Sequence, residues 1–303
     1  MGVNLDFYTA SLDDLESIFK IIDITGWGET REDIERVMKN PSCSYISVVD
    51  RITGEMIGIT LAVAFNDFGF IGHVIVNPDF RGMGIGEELM IEAINHLKFK
   101  GCKTIKLDAV DKAKSLYERV GFKFELNSLR YQYEIKNDDS ITFLLESLKK
   151  YQSQFQTSKI EEQDLKQIYK IDKETFGVDR HNLLLLFYED YPELSFITRD
   201  SKNEIIGYNF GQYQNGILKL RAGMSVSTNT LVQHLKEAII AVKEKSDFKF
   251  IKFGILENNI ESVKLLEKLG FIKTSYSLRM YWGKKSTISI NSTLFAIGDP
   301  AKG

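Results

Sequence analysis

The hydrophobic positions change their period along the chain. Leu12, Leu15, Ile18, Phe19 and Ile22 recur at three- and four-residue spacing, which predicts an amphipathic helix, and a second helix begins at Thr30, where Thr30-Arg-Glu-Asp33 has a capping-box layout. Ser44–Asp50, Met56–Phe65 and Phe68–Asn77 are rich in β-branched and aromatic residues. The turn pairs Thr53-Gly54 and Asn66-Asp67 separate them, so three antiparallel strands are expected. From Gly84 to about Lys100 the stripe Ile85, Leu89, Met90, Ala93, Ile94 and Leu97 returns to helical spacing and stops at Gly101. A strand over Thr104–Ala109, a helix over Lys112–Val120 ended by Gly121, and a strand over Phe124–Ile135 complete the series.

The series occurs twice. Glu55-Met-Ile-Gly58 is echoed by Glu204-Ile-Ile-Gly207, Leu116-Tyr-Glu-Arg-Val-Gly-Phe122 by Leu265-Leu-Glu-Lys-Leu-Gly-Phe271, and Trp27-Gly-Glu-Thr-Arg31 by Phe176-Gly-Val-Asp-Arg180, all at an offset of 149 residues. Three echoes in one register mark a duplication. Lys136-Asn-Asp-Asp-Ser140 is the boundary, and the amphipathic stretch Ile141–Tyr151 bridges the copies. The second copy, from about Thr157, has Leu231–Lys245 as its central helix and Lys249–Ile255 as the next strand. The expected organisation is a domain over residues 1–135, a linker over 136–156 and a second domain over 157–303, each α+β with a largely antiparallel sheet.

Composition narrows the function. A chain of 303 residues with 43% hydrophobic residues can bury two cores. Its net charge of −3 removes the electrostatic case for a nucleic-acid binder. No apolar run approaches the roughly 18–20 residues of a membrane span, and the first residues lack the basic start and apolar centre of a signal peptide, so a soluble cytoplasmic protein is expected. Cys43 and Cys102 form no CxxC pair, and His73, His96, His181 and His234 have no metal-ligand spacing. Neither a disulfide framework nor a metal site is expected.

The candidate chemistry lies in Val74-Ile-Val-Asn-Pro-Asp-Phe-Arg-Gly-Met-Gly-Ile-Gly-Glu-Glu-Leu89, a strand that runs into a glycine-rich turn and then a helix. Glycines at 82, 84 and 86 leave the amides of residues 82–87 bare at a helix N-terminus, an arrangement that holds a phosphate or diphosphate. Arg81 adds a charge-assisted donor. A P-loop needs GxxxxGK[ST], and here Gly86 is followed by two glutamates. A dinucleotide fingerprint needs GxGxxG after a βαβ opening. Asp108 lies where a ribose-binding acid would sit, but the antiparallel strands before the turn contradict that opening.

The segment Val-x-Asn-Pro-x-x-Arg-Gly-x-Gly-Ile-Gly resembles motif A of the GNAT superfamily of acyl-coenzyme-A N-acyltransferases, with Arg81, Gly84 and Gly86 at its fixed positions. Ala113-Lys-Ser-Leu-Tyr-Glu-Arg-Val-Gly-Phe122 resembles motif B of the same superfamily. The second half, with Gly-Val-Asp-Arg180 and Arg279-Met-Tyr-Trp-Gly283, resembles the C-terminal domain of tandem two-domain members. The resemblance implies an acetyl-CoA-dependent N-acetyltransferase acting on the primary amine of a small molecule by direct attack, as a monomer or homodimer. A non-catalytic acyl-CoA sensor and a protein N-acetyltransferase are the alternatives.

The same resemblance implies the site. The strand Val74–Asn77 splays from Thr104–Ala109, the pantetheine arm bonds main-chain groups near Ile75 and Val76, and the diphosphate rests on Arg81, Gly82, Met83, Gly84, Ile85, Gly86 and Glu87. An N–H near Val76 polarises the thioester carbonyl. Tyr117 stands where the family places the acid that protonates the departing thiolate, a role that a phenol of pKa ~10 suits. The base is open: Asp108 comes first, with Glu29 and His73 behind it, against the plainer reading in which Asp108 caps the helix near Asp111 and His73 is an ordinary strand residue. Trp27, Glu29 and His73 fall on the acceptor side. One departure is Val110, where many members have the asparagine of Asn-x-x-Ala in motif B.

At the 149-residue offset Arg81–Gly86 lands on Thr230–Leu235, with neither glycine nor arginine, and Tyr117 lands on Leu266. The second copy is therefore expected to keep the framework without the catalytic parts. Tyr188, Tyr191, Tyr208 and Tyr213 are candidates to line an acceptor pocket. Asp179 is expected to cap a helix, and Arg180 either pairs within the fold or holds an acidic group of a substrate.

Overall fold

A computed structural model describes residues 4–151, 155–298 and 301–302. By internal contacts the chain forms two compact units. The first comprises the chain through Glu125 together with Leu278–Ser286 and the last residues; the second comprises Leu126–Ser277 and 287–299. The division thus falls before the 136–140 segment singled out by composition, because each copy's last strand counts with the other unit.

The first unit carries β1 (Leu5–Thr9), α1 (Leu15–Asp23), α2 (Arg31–Lys39), β2 (Cys43–Asp50), β3 (Met56–Phe65), β4 (Phe68–Val76), α3 (Ile85–Phe99), β5 (Thr104–Ala109) and α4 (Lys114–Arg119). Thr30 caps α2, its hydroxyl accepting from the Asp33 amide as the capping-box pattern predicted. Strand β1, which the hydrophobic pattern did not reveal, pairs antiparallel with β2 at the sheet edge. β2–β3 and β3–β4 are antiparallel, whereas β4–β5 is parallel, with α3 as the crossover between them. The stripe of α3 packs Met90, Ala93, Ile94 and Leu97 into a core with Ile71, Ile105, Leu107 and Tyr117.

The second unit carries β6 (Lys123–Glu134), which begins in the first, then α5 (Asp138–Lys149), β7 (Gln156–Lys159), α6 (Glu162–Phe176), α7 (His181–Asp190), β8 (Phe196–Arg199), β9 (Ile205–Gln214), β10 (Ile217–Ser225), α8 (Thr228–Val242), β11 (Phe250–Leu256) and α9 (Ile260–Lys268). After these come β12 (Ile272–Gly283) and β13 (Leu294–Ala296). β9–β10 is antiparallel and β10–β11 parallel, as β3–β4 and β4–β5 are. The last strand of the first sheet is Leu278–Gly283 of β12, antiparallel to β5; the last of the second is β6, antiparallel to β11. Among the described residues no helix is long and apolar enough to cross a membrane.

His234 of α8 is fully buried in the second unit, its Nε2 3.0 Å from the Thr198 hydroxyl. Burial pushes its pKa down from 6.5 to about 3. The unfolded chain binds a proton below about pH 6.5 that the folded chain refuses, so this group's contribution to stability falls with pH throughout that window. Between pH 6.5 and 5 it should cost about 2 kcal/mol, read as a drop in the urea midpoint that His234→Gln removes.

Candidate active site

The turn between β4 and α3 has the geometry of an anion cradle. Gly82 and Gly84 take φ of +81° and +84°, the left-handed region that favours glycine, and a Cβ at either would meet nothing within 4 Å. Gly84 is the N-cap of the 15-residue helix α3. Among the described residues the amides of 82–86 donate to no acceptor, whereas the Glu87 and Glu88 amides already donate to the Gly84 carbonyl. The bare run is thus one residue shorter than the sequence suggests, because Glu87 lies inside the helical ladder. The Glu87 carboxylate accepts from Arg119 Nε at 2.7 Å. Gly86 has a different purpose: a Cβ there would stand 3.3 Å from Leu116 Cδ1, so the third glycine lets α4 approach α3. Arg81 Nε donates to the Val76 carbonyl at 3.0 Å and ties the turn to the end of β4.

A splay lies beside this turn. β4 pairs with β5 only from Phe68↔Thr104 to Ile71↔Leu107, although β5 pairs with β12 along its whole length. On its other edge β4 stays joined to β3 through Ile59↔Ile75 and Gly58↔Val76, with a register shift opposite residues 73–74. His73 sits at that bulge with φ +46°, so it is no ordinary strand residue. Tyr117, on α4, is 8% exposed, and among the described residues its hydroxyl has no hydrogen-bond partner. Burial alone pushes its pKa up to about 12.

Trp27, Glu29 and His73 lie together, joined by a residue that carried no signal in the sequence, Tyr45. The Tyr45 hydroxyl lies 2.9 Å from His73 Nδ1, Glu29 Oε2 lies 3.4 Å from His73 Nε2, and the Trp27 ring centroid is 5.6 Å from that of His73. A hydroxyl donating to Nδ1 would leave the ring proton on Nε2, facing the carboxylate.

Asp108 is elsewhere and is engaged. Its carboxylate accepts from Arg279 Nε at 2.8 Å and Nη2 at 3.1 Å, with both side chains essentially inaccessible. Arg279 also lies over the Phe70 ring, 5.2 Å from its centroid. Both carboxylate oxygens are engaged by this buried bidentate guanidinium, so Asp108 is a poor base. Nor does it cap the next turn, whose N-cap is Val110. Removing one partner of such a pair should cost about 3–5 kcal/mol, so Asp108→Asn is expected to lower the thermal midpoint sharply while the pH dependence of turnover keeps its shape.

Burial raises the Cys102 thiol to about 11, and Cys43 is also buried; neither is in a disulfide, and Cys102 is unsuited to act as a nucleophile.

Among the described residues the second unit lacks each of these features. Eight residues, Asn77–Gly84, join β4 to α3, but only Val226 and Ser227 join β10 to α8. The ungapped mapping onto Thr230–Leu235 therefore fails here: those residues lie within α8, and the turn itself is missing. Ser227 caps α8 with its own hydroxyl, which accepts from the Thr230 amide. The splay is filled as well. β13 pairs with β10 at Gly223 and Met224, the Ile297 amide donates to the Gly254 carbonyl, and a Cβ on Gly223 would meet the Phe295 ring at 2.6 Å. Leu266 is fully buried, and Asn259 caps α9 while donating to the Leu294 carbonyl. Arg180 is structural: it holds Asp172 through Nε at 2.9 Å and Nη2 at 2.8 Å and covers Phe176. Tyr208, expected on a pocket wall, is fully buried and donates to Asp172. Asp179 accepts from the His181 amide, although the N-cap position of α7 is Arg180.

A family model described as the acetyltransferase (GNAT) family matches residues 12–122. An uncharacterized N-acetyltransferase ycf52 of Gracilaria tenuistipitata var. liui is 30% identical over 128 residues, 40% of this chain and 68% of that protein. The chain belongs to the GNAT acetyltransferase family. It spans 42–68% of the length of the curated relatives it matches. A putative acetyltransferase of Pyrococcus horikoshii shares the fold over 100% of this chain and 97% of its own, with a TM-score of 0.73 and 21% identity. A tandem GNAT protein from the clavulanic acid biosynthesis pathway aligns over 93% of this chain and all of its own, with a TM-score of 0.67 and 11% identity. The fold is thus a tandem GNAT fold.

Proposed function

We propose that the first unit transfers the acetyl group of acetyl-CoA to the primary amine of a small molecule by direct attack, without a covalent enzyme intermediate. The observation that carries this reading is the joint presence, in one unit, of the 82–86 amide run and the buried Tyr117 phenol. Bound there, acetyl-CoA supplies an activated thioester carbonyl; the rest is the work of this chain. The amides of Gly82–Gly86 and the dipole of α3 hold the diphosphate. Main-chain groups at Ile75 and Val76, on the part of β4 that has left β5, hold the pantetheine arm and polarise the carbonyl. Glu29, oriented by His73, takes the proton from the alkylammonium, whose pKa of ~10 keeps it charged at neutral pH. Tyr117 supplies a proton to the sulfur. Its pKa near 12 keeps that proton in place at neutral pH. The same apolar surroundings raise the proton affinity of a thiolate forming beside it.

The preference for a small amine is supported by the exposed Trp27 ring, whose face suits an aliphatic or cationic amine, and by the biosynthetic setting of the tandem relative. The test is a thiol-release screen of amines, amino acids and polyamines with acetyl-CoA. Amine-dependent release supports the reading. Micromolar acetyl-CoA binding with no release under any amine would identify a sensor. Release only with peptides or proteins would move the acceptor to a protein amine.

A further inference from the structure

The acceptor side contains a residue from the far end of the chain. Ala301 packs against Gly72 of β4 so closely that a Cβ on the glycine would stand 2.4 Å from the Ala301 carbonyl oxygen and 2.6 Å from its Cβ. Lys302 follows, 4% exposed, with Nζ 3.9 Å from Glu29 Oε1. The other Glu29 oxygen faces His73 Nε2 at 3.4 Å. A lysine is almost never hidden from water, since burial costs side-chain freedom and the hydration of the ammonium. Here a primary amine on a four-carbon arm is buried against the carboxylate assigned above to proton removal. Glycine at position 72 leaves room for the backbone that carries it.

We propose that Ala301-Lys302 occupies the amine-acceptor subsite and that Lys302 Nζ is itself acetylated, within the same molecule. The proposal rests on the reading of acetyl-CoA-dependent transfer given above. The Lys302 ammonium gives a proton to Glu29, and the neutral nitrogen forms a bond to the thioester carbonyl carbon. The carbon–sulfur bond breaks, the sulfur takes the Tyr117 proton and leaves as coenzyme A thiol, the second proton lost by the nitrogen passes through solvent to restore the phenol, and Glu29 releases its proton to water. The products are an uncharged amide on Lys302 and free thiol, with no change of oxidation state. A purely structural ion pair would need only the positive charge, which arginine also provides; an acceptor needs the amine.

The test is to incubate the purified protein with acetyl-CoA and no added amine, at several protein concentrations, and to follow intact mass and peptide maps. Expected are one acetyl group per chain at Lys302 and a first-order rate constant that is independent of protein concentration. Lys302→Arg should show no adduct at that position, and Tyr117→Phe should slow its formation by the factor by which it slows turnover of an added amine. Three results would overturn the proposal: Lys302 unmodified while acetyl-CoA binds and an added amine is consumed; a rate that climbs with protein concentration; or acetyl groups spread evenly over exposed lysines. Failure of acetyl-CoA to bind by calorimetry would instead overturn the underlying reading, and the proposal with it.

Discussion

A glutamate in place of Gly84 should abolish acetyl-CoA binding and leave the protein folded. The backbone at this position has φ +84°, where a side chain costs about 1–2 kcal/mol. The space around it is open, so nothing in the interior is displaced. The new carboxylate would stand at the N-terminus of α3, accept from the bare amides itself and repel a diphosphate. Together these effects should weaken binding by roughly 100-fold or more, since each 1.4 kcal/mol is a factor of ten. Titration calorimetry with acetyl-CoA measures the loss, and a thermal melt checks the fold. Gly84→Ala carries the backbone strain without the charge and should lose far less. Binding by the glutamate variant within about three-fold of the parent would place the diphosphate elsewhere.

Tyr117→Phe should lower kcat by about 10²–10⁴-fold with acetyl-CoA affinity nearly unchanged, the range typical of a positioned proton donor. The hydroxyl has no partner among the described residues, so its removal breaks no hydrogen bond and the melting temperature should hardly move. The phenol's pKa near 12 adds a second check. Its loss of a proton should produce no alkaline fall in kcat below about pH 11, so any earlier limb belongs to another group. An unchanged kcat in this variant would remove Tyr117 from the chemistry, and steady-state kinetics across pH 6–10 would show it.

The parts of the site that were legible in the sequence are those made by neighbours in the chain. A left-handed backbone at Gly82 and Gly84, a strand before them and a helix after them are local properties, and the spacing of Leu116, Tyr117, Gly121 and Phe122 on one short helix and its stop is local too. The duplication was legible for a related reason: β3, β4 and β6 recur as β9, β10 and β12 at the same 149-residue offset. The same regularity misled the mapping of the cradle. The second copy drops six residues before α8 and recovers them before β12, so echoes on either side of the deletion stay in register while the segment between does not.

The sequence by itself determined that the chain is a tandem α+β protein with a glycine-rich turn at the start of a helix in its first half, because glycine conformation, helix capping and hydrophobic period act over a few residues. Only the tertiary structure decided the rest. Arg279 claims Asp108 from 171 residues away, Leu294–Ala296 fills the splay of the second unit, and Lys302 reaches Glu29 beside Gly72. None of these pairs shares a local pattern. Their partners meet because strand pairing and burial bring distant segments to one point, and a charge or a missing Cβ acquires its meaning from what it meets there.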